Sequence, residues 1–243
     1  MSDFRAASPG SRAFKARLVE LTAVAIHEIA VELFNLNLRV GNHEGDHMAT
    51  WVPRMDDDFW KFYDEFWPTL FRHAWYKDYD QYPSSIADGV GFWAEARILG
   101  GVVLFDRRGP EGDPDSVWFH SNNRDVTYRL YQLREDQRLQ LLDFLNSETP
   151  DLKLLPIHGD RSNEIREDPE EAVEAIGIYR HRWERRPLAP GVRDGRLTDV
   201  FRRFQYPRRS DFDRAGQRAV ERRNRLEDEE WEKARAEEEE DTA

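Results

Sequence analysis

Apolar residues near the start of the chain recur at helical spacing. Phe14, Leu18, Leu21, Ala25, Ile29 and Leu33 lie three or four positions apart, which places their side chains along one face of an α-helix. The period then changes. Phe34, Leu36, Leu38 and Val40 alternate with Asn35, Asn37 and Arg39, the spacing of a strand. The pattern predicts a helix over residues 12–30 followed by a strand to residue 40, with the switch falling somewhere within 26–38. Residues 41–55 read as a polar loop holding Gly41, Gly45 and Pro53. Asp56, Asp57 and Asp58 then provide the capping oxygens and negative charge that favour a helix start near Phe59, and Pro68 limits its length. Eleven aromatics between residues 59 and 82 cover too many helical angles for one stripe, so that stretch is expected to pack on two sides. Burial explains their density better than a sugar-binding platform does.

The middle of the chain alternates most plainly. Val90, Phe92, Ala94, Ala96 and Ile98 interleave with Gly91, Trp93, Glu95 and Arg97; Gly100-Gly101 follows, then an apolar run to Phe105. This predicts a β-hairpin turning at the two glycines. A Gly- and Pro-rich loop leads to a short strand over residues 117–120, and a polar turn leads to another over 126–133. Residues 90–133 therefore read as an antiparallel meander of about four strands. Its core face would carry Phe92, Ala94, Ala96, Ile98, Val103 and Phe105.

Residues 135–145 look helical, with Leu139, Leu142 and Leu145 on one side, and residues 152–157 suit a short strand. Asp168-Pro169-Glu170-Glu171 has the form of a helix start, and Val173, Ile176, Tyr179 and Trp183 would face inward from that helix. Pro187, Pro190, Gly191 and Gly195 mark a linker, after which a polar helix begins at Ser210. The fold class is α+β: an antiparallel meander of four to five strands packed by helices, with an extended charged C-terminal helix. The expected organisation is a flexible arm (1–11), the domain (12–185), a linker (186–209) and a charged helical or disordered tail (210–243).

Composition narrows the function classes. The chain has 243 residues, with 36 basic against 48 acidic side chains and a net charge of -12. Cysteine is absent, which excludes a disulfide scaffold, a thiolate zinc site and a cysteine nucleophile. Glu20, His27, Glu28 and Glu32 interrupt the one long apolar stretch, so it reads as neither a signal peptide nor a membrane span. Arg5, Arg12, Lys15 and Arg17 near the start suit a basic helix beginning better than an organellar transit peptide. A cytoplasmic or nuclear protein with no membrane association is expected.

Three constellations could carry chemistry. His43-Glu44-Gly45-Asp46-His47 matches H-E-x-x-H, in which two histidines on one helical face bind Zn²⁺ and the Glu activates a bound water. Here Gly41, Asn42 and Gly45 argue for a polar loop, and no third ligand sits in a recognisable motif. A zinc hydrolase with metal ligands His43 and His47 and catalytic Glu44 is thus the alternative reading. Without it no cofactor is called for. Gly89-Val90-Gly91-Phe92-Trp93-Ala94 fits G-x-G-x-x-A but lacks the strand before it and the helix after it that a dinucleotide site requires.

The second constellation is the other face of the predicted sheet. It gathers Trp93, Glu95, Arg97, Trp118, His120, Arg129 and Tyr131, combining aromatics that favour burial with charges that resist it. Either a helix of the chain covers this face or it binds a partner or small ligand. Glu95 with His120 could also act as an acid–base pair. The third is charge segregation. Residues 180–225 hold fifteen arginines against six acids, and residues 226–243 hold ten acids against Lys233 and Arg235. Only five of the 36 basic residues are lysine, so arginine is favoured throughout the chain, and the acidic end would repel nucleic acid. The leading expectation is a non-enzymatic binding protein that uses the aromatic-charged face or the Arg-rich C-terminal segment. Arg-mediated nucleic-acid binding is a further, less favoured alternative.

Overall fold

The computed structural model describes residues 10–36, 69–109, 112–113, 115–122, 127–186 and 203–241. Helix α1 spans Arg12–Asn35. Ser11 caps it, its hydroxyl accepting the Phe14 N–H at 3.1 Å and satisfying one of the donors a helix start leaves unpaired. The helix runs through residues 31–35, where a strand was expected; residues 37–40 lie outside the described residues. The inward line also differs from the expected one. Ala16, Val19, Ala23, His27 and Val31 are buried, whereas Ile29 and Leu33 are exposed. Of this line, Val19 and Ala23 pack with the sheet side of the core, and His27 meets the next helix at Gly91.

That next helix, α2, spans Ile86–Ile98 and overturns the predicted hairpin. The alternating residues 90–98 are helical. The alternation misleads because α2 is buried on nearly every side: Ala87 to Phe92 and Ala94 to Ala96 are all inaccessible, so no polar face marks the 3.6-residue period. Gly100-Gly101 does turn the chain, but from helix into strand. Gly100 has φ +112°, and a Cβ there would lie 2.0 Å from the Ile157 carbonyl oxygen, so no other residue fits.

Among the described residues five short strands follow: β1 (Val102–Asp106), β2 (Val117–His120), β3 (Leu130–Gln132), β4 (Arg166–Glu167) and β5 (Ile178–Tyr179). They form one antiparallel sheet in the order β4-β3-β2-β1-β5. Val103 pairs with Phe119, Leu104 with Trp118 and Phe119 with Tyr131. The meander of β1, β2 and β3 matches the sequence expectation, and the α+β class holds. Both sheet faces are core. Val103, Phe105, Val117, Phe119 and Tyr131 pack with Val19 and Ala23 of α1 and with Leu141 and Leu142. Val102, Leu104, Trp118, Leu130 and Ile178 pack on the other side with Phe92, Trp75, Tyr76 and Tyr82. Phe92 therefore sits across the sheet from Val103 and Phe105 rather than beside them, and Ile98 is exposed. Each fully buried side chain of this size is worth about 1.5–3 kcal/mol of transfer free energy.

Helix α3 (Glu135–Asn146) is where the sequence puts it, with Leu141 and Leu142 inward and Leu139 exposed. The strand expected over 152–157 is instead a single 3-10 turn at Leu152–Leu154, started by the Asp151 side chain, which accepts the Lys153 N–H at 3.0 Å. The helix expected from Asp168 is one turn only, α4 (Val173–Ile176). Gly177, at φ +67°, stops it, and the chain enters β5 beside β1. Val173 and Ile176 are buried as expected. A long helix α5 (Arg209–Asp241) closes the described chain. Among the described residues no helix is long and apolar enough to cross a membrane.

Candidate functional site

Among the described residues, buried charged side chains gather into clusters at two places; Asp106 and Arg138 are buried apart from them, paired with Arg108 and Glu135. The first is the seam between α1 and α2. Asp88, Gly91 and Glu95 stand three and four residues apart and so share one helical face. His27 of α1 enters the notch at Gly91, where a Cβ would lie 2.6 Å from the imidazole. Its Nδ1 is 2.9 Å from Glu95 Oε1, and its Nε2 is 2.9 Å from Asp88 Oδ1. Both contacts are satisfied together when both ring nitrogens carry protons. Burial works against that cation, but the hydrogen bonds it donates to Asp88 and Glu95 outweigh it and hold the His27 pKa above its ordinary value.

Arg180, just beyond β5, clamps Glu95 with two bonds of 2.7 and 2.6 Å. Burial pushes the Glu95 carboxyl up, yet the Arg180 guanidinium and the His27 contact hold it below the ordinary range. Glu184 accepts the Arg180 and His181 backbone N–H groups at 3.0 and 3.1 Å and lies 3.5 Å from Arg185 Nε. Burial raises the Glu184 pKa. Burial, with the nearby Arg180 charge, brings His181 down to about 4. Three acids (Asp88, Glu95, Glu184) thus face three cations (His27, Arg180, Arg185), although Glu184 Oε1, Arg180 Nε and Arg185 Nε and Nη1 have no hydrogen-bond partner.

The second place is the β3–β4 edge. Arg129 and Arg166 are both buried. Arg166 donates only to backbone oxygens: to Asn163 O at 2.7 Å, Phe204 O at 2.9 Å, Gln205 O at 3.3 Å and Asp160 O at 3.4 Å. Arg129 Nη1 reaches the same Gln205 carbonyl at 3.5 Å, and its guanidinium stacks over Tyr206, 4.5 Å from the ring centroid. Its buried Nε has no partner. Burial, then the neighbouring Arg129 charge, lowers the Arg166 pKa. Among the described residues no carboxylate lies within 4.0 Å of either guanidinium. Glu167 pairs with Arg108 at 3.6 Å, and Asp168 Oδ1 accepts the Glu170 N–H at 3.1 Å.

Residues 203–206 lie over this edge, within the stretch read from sequence as a linker. Gln205 Oε1 accepts the Thr127 hydroxyl at 2.6 Å and the Tyr128 N–H at 3.2 Å, and the Tyr128 and Tyr206 hydroxyls meet at 2.7 Å. Burial pushes the Tyr206 hydroxyl up to about 12. Three residues later α5 begins.

The seven residues singled out from sequence are divided among different environments. A helix turns about 100° per residue, so Trp93 and Arg97 leave α2 on one side and Glu95 on another. Trp93 is half-buried against Phe71, with ring centroids 4.7 Å apart. Arg97 is exposed and lies near the Trp93 ring. Glu95 belongs to the His27 cluster. Trp118 and His120 are buried beneath the aromatic side of the sheet. The indole N–H of Trp118 donates to Ser116 Oγ at 3.0 Å, and the His120 ring lies between Tyr76 Oη and the Tyr128 carbonyl at 3.3 and 3.2 Å. Tyr131 lies on the opposite sheet face from Trp118. Arg129 is in the second cluster. The pairing of Glu95 with His120 is not formed, since Glu95 is engaged by His27 and Arg180.

His43, Glu44 and His47 lie outside the described residues, as do most of the aromatic stretch 59–82 and residues 187–202 of the linker. Among the described residues no group of three or more His, Asp or Glu is arranged to hold a metal ion. Sequence reasoning missed His27, Asp88, Arg166, Arg180 and Gln205. Comparison with protein-family models, with curated proteins and with solved structures returned no match.

Proposed function

We propose that this chain is a non-enzymatic binding protein whose partner docks on helix α5, with residues 203–206 seating that helix on the domain. One observation carries the reading: both faces of the sheet are spent on the core, while from Val220 onward every residue of α5 whose burial is described is exposed. The helix is anchored near its start. Ala215 is buried, Phe212 packs edge-on to Tyr206, and Arg218 pairs with Glu171 at 3.4 Å. Beyond that, ordering the helix gains little burial to offset its entropy cost. Trp231, 65% exposed, is the kind of side chain that anchors protein interfaces. The change from arginines to acids along the segment favours a protein partner over nucleic acid, which the acidic end would repel.

The test compares the full chain with one ending at Arg225 in quantitative affinity capture. The full chain should recover a defined partner that the shorter chain loses. The melting temperature should differ by only about 1–2 °C, as for removal of surface residues. Capture of the same partners by both chains would refute the reading, and so would a much larger drop in melting temperature. Zinc content, measured on protein purified without a metal-affinity tag, separates this reading from a hydrolase built on His43, Glu44 and His47.

A further inference from the structure

We infer that Arg129 and Arg166 form a receptor for a tetrahedral oxyanion of the phosphate class, and that the carbonyls of Phe204 and Gln205 occupy it in the structure described. Two guanidiniums are buried side by side, and their acceptors are backbone oxygens. A carbonyl supplies a partial charge where each arginine calls for a full one. Gln205 O is shared between Arg129 Nη1 and Arg166 Nη1, the position an oxyanion bridging the two forks would take. Arg129 Nε, buried and unpartnered, supplies a further donor. Neighbouring acids make their direct contacts elsewhere, Glu167 with Arg108 and Asp168 with its own turn, although Glu167 still acts on Arg129 electrostatically. The guanidinium fork matches phosphate oxygens in pairs, which an ammonium cannot do.

The covering segment gives the site a consequence. An anion that takes the place of the two carbonyls moves residues 203–206, and with them the start of α5 at Arg209. Its latches, the Gln205 contacts with Thr127 and Tyr128 and the Tyr128–Tyr206 hydroxyl pair, are then released or rebuilt. The anion thereby controls how α5 is seated. This last step rests on the proposed role of α5; the anion site itself does not.

The experiment titrates inorganic phosphate into the full chain by calorimetry at constant ionic strength, with chloride as reference and acetate as a second arm. Amide hydrogen exchange is followed at Tyr128 and at residues 203–206. Saturable one-site binding of phosphate is expected, with faster exchange of the Tyr128 amide once the Gln205 latch opens. Arg129→Lys and Arg166→Lys keep the charge but lose the fork, and each should weaken binding by about 10-fold or more. Circular dichroism confirms that both variants are folded. Absence of saturable binding overturns the inference. So does equal binding of acetate, unchanged affinity in both lysine variants, or unchanged exchange at Tyr128 and 203–206. If phosphate binds as described but truncating α5 leaves partner capture unchanged, the anion site stands and the proposed function fails.

Discussion

The two buried charge clusters differ in how their charges are compensated. At the α1–α2 seam three carboxylates meet three cations, and the contacts of His27 and Arg180 with Asp88 and Glu95 are 2.6–2.9 Å long. At the β3–β4 edge two arginines hydrogen-bond only to carbonyls, at 2.7–3.5 Å, with Arg129 also lying over the Tyr206 ring. Burying a charge costs several kcal/mol, and a close counter-charge is the main thing that offsets it. The first cluster supplies its counter-charges from within and reads as architecture, holding two helices together around the Gly91 notch. The second has no carboxylate in direct contact among the described residues, although Glu167 acts on Arg129, and Asp160 and Glu164 on Arg166, from farther away; it lies beneath the segment that leads into α5. Buried charge alone therefore does not mark a functional site; the proposed anion site lies where buried charge has no direct counter-ion.

The largest expected effect is in the cluster at the α1–α2 seam. Glu95→Gln keeps the shape of the side chain but removes the charge between Arg180 and His27, so it should lower the unfolding free energy by about 3–5 kcal/mol, as measured by denaturant titration. A loss under about 1 kcal/mol would show that the seam does not depend on its charge balance. A smaller effect depends on pH. His27 is held above its ordinary value of 6.5, so its contribution is complete below that value and is lost as pH rises through the higher folded value. The groups facing it are Asp88 and Glu95 from α2 and Arg180 from beyond β5. The stability gap between the wild type and His27→Gln should be about 1–2 kcal/mol near pH 6 and should narrow toward pH 9. A gap that widens as pH rises would contradict a cationic His27.

The clusters were unequally legible in the sequence, as was the fold. Strands β1, β2 and β3 are short apolar runs between Gly-, Pro- and Asn-containing turns, and they read correctly. Helix α3 did too, because it has a polar side. Helix α2 did not: buried nearly all round, it shows no 3.6-residue stripe, and its two glycines speak against a helix until His27 is seen to need the space at Gly91. In α1 the larger side chains Ile29 and Leu33 drew attention, while the contact line is made of Ala16, Val19 and Ala23. His27 falls on that line at i+4 from Ala23. A histidine on a core line requires polar partners, and this signal was present in the sequence. Its partners Asp88 and Glu95 share a face only once α2 is known to be helical. Arg129 was found as a candidate for the wrong reason, as one member of a sheet face that the structure divides. Arg166 and Gln205 are brought to it by chain separations that no local pattern encodes.

The smallest expected change tests the central claim most directly, which is that the Arg129 charge has no direct counter-ion within the described chain. Arg129→Met replaces the guanidinium with an apolar side chain of similar length, and its unfolding free energy can be measured in chloride beside that of the wild type. A buried charge without a direct counter-ion adds little net to folding, so the variant should be within about 1 kcal/mol of the wild type, or more stable. A loss of about 3 kcal/mol or more, as expected for Glu95→Gln, would contradict the account and make Arg129 a structural cation balanced from inside the fold.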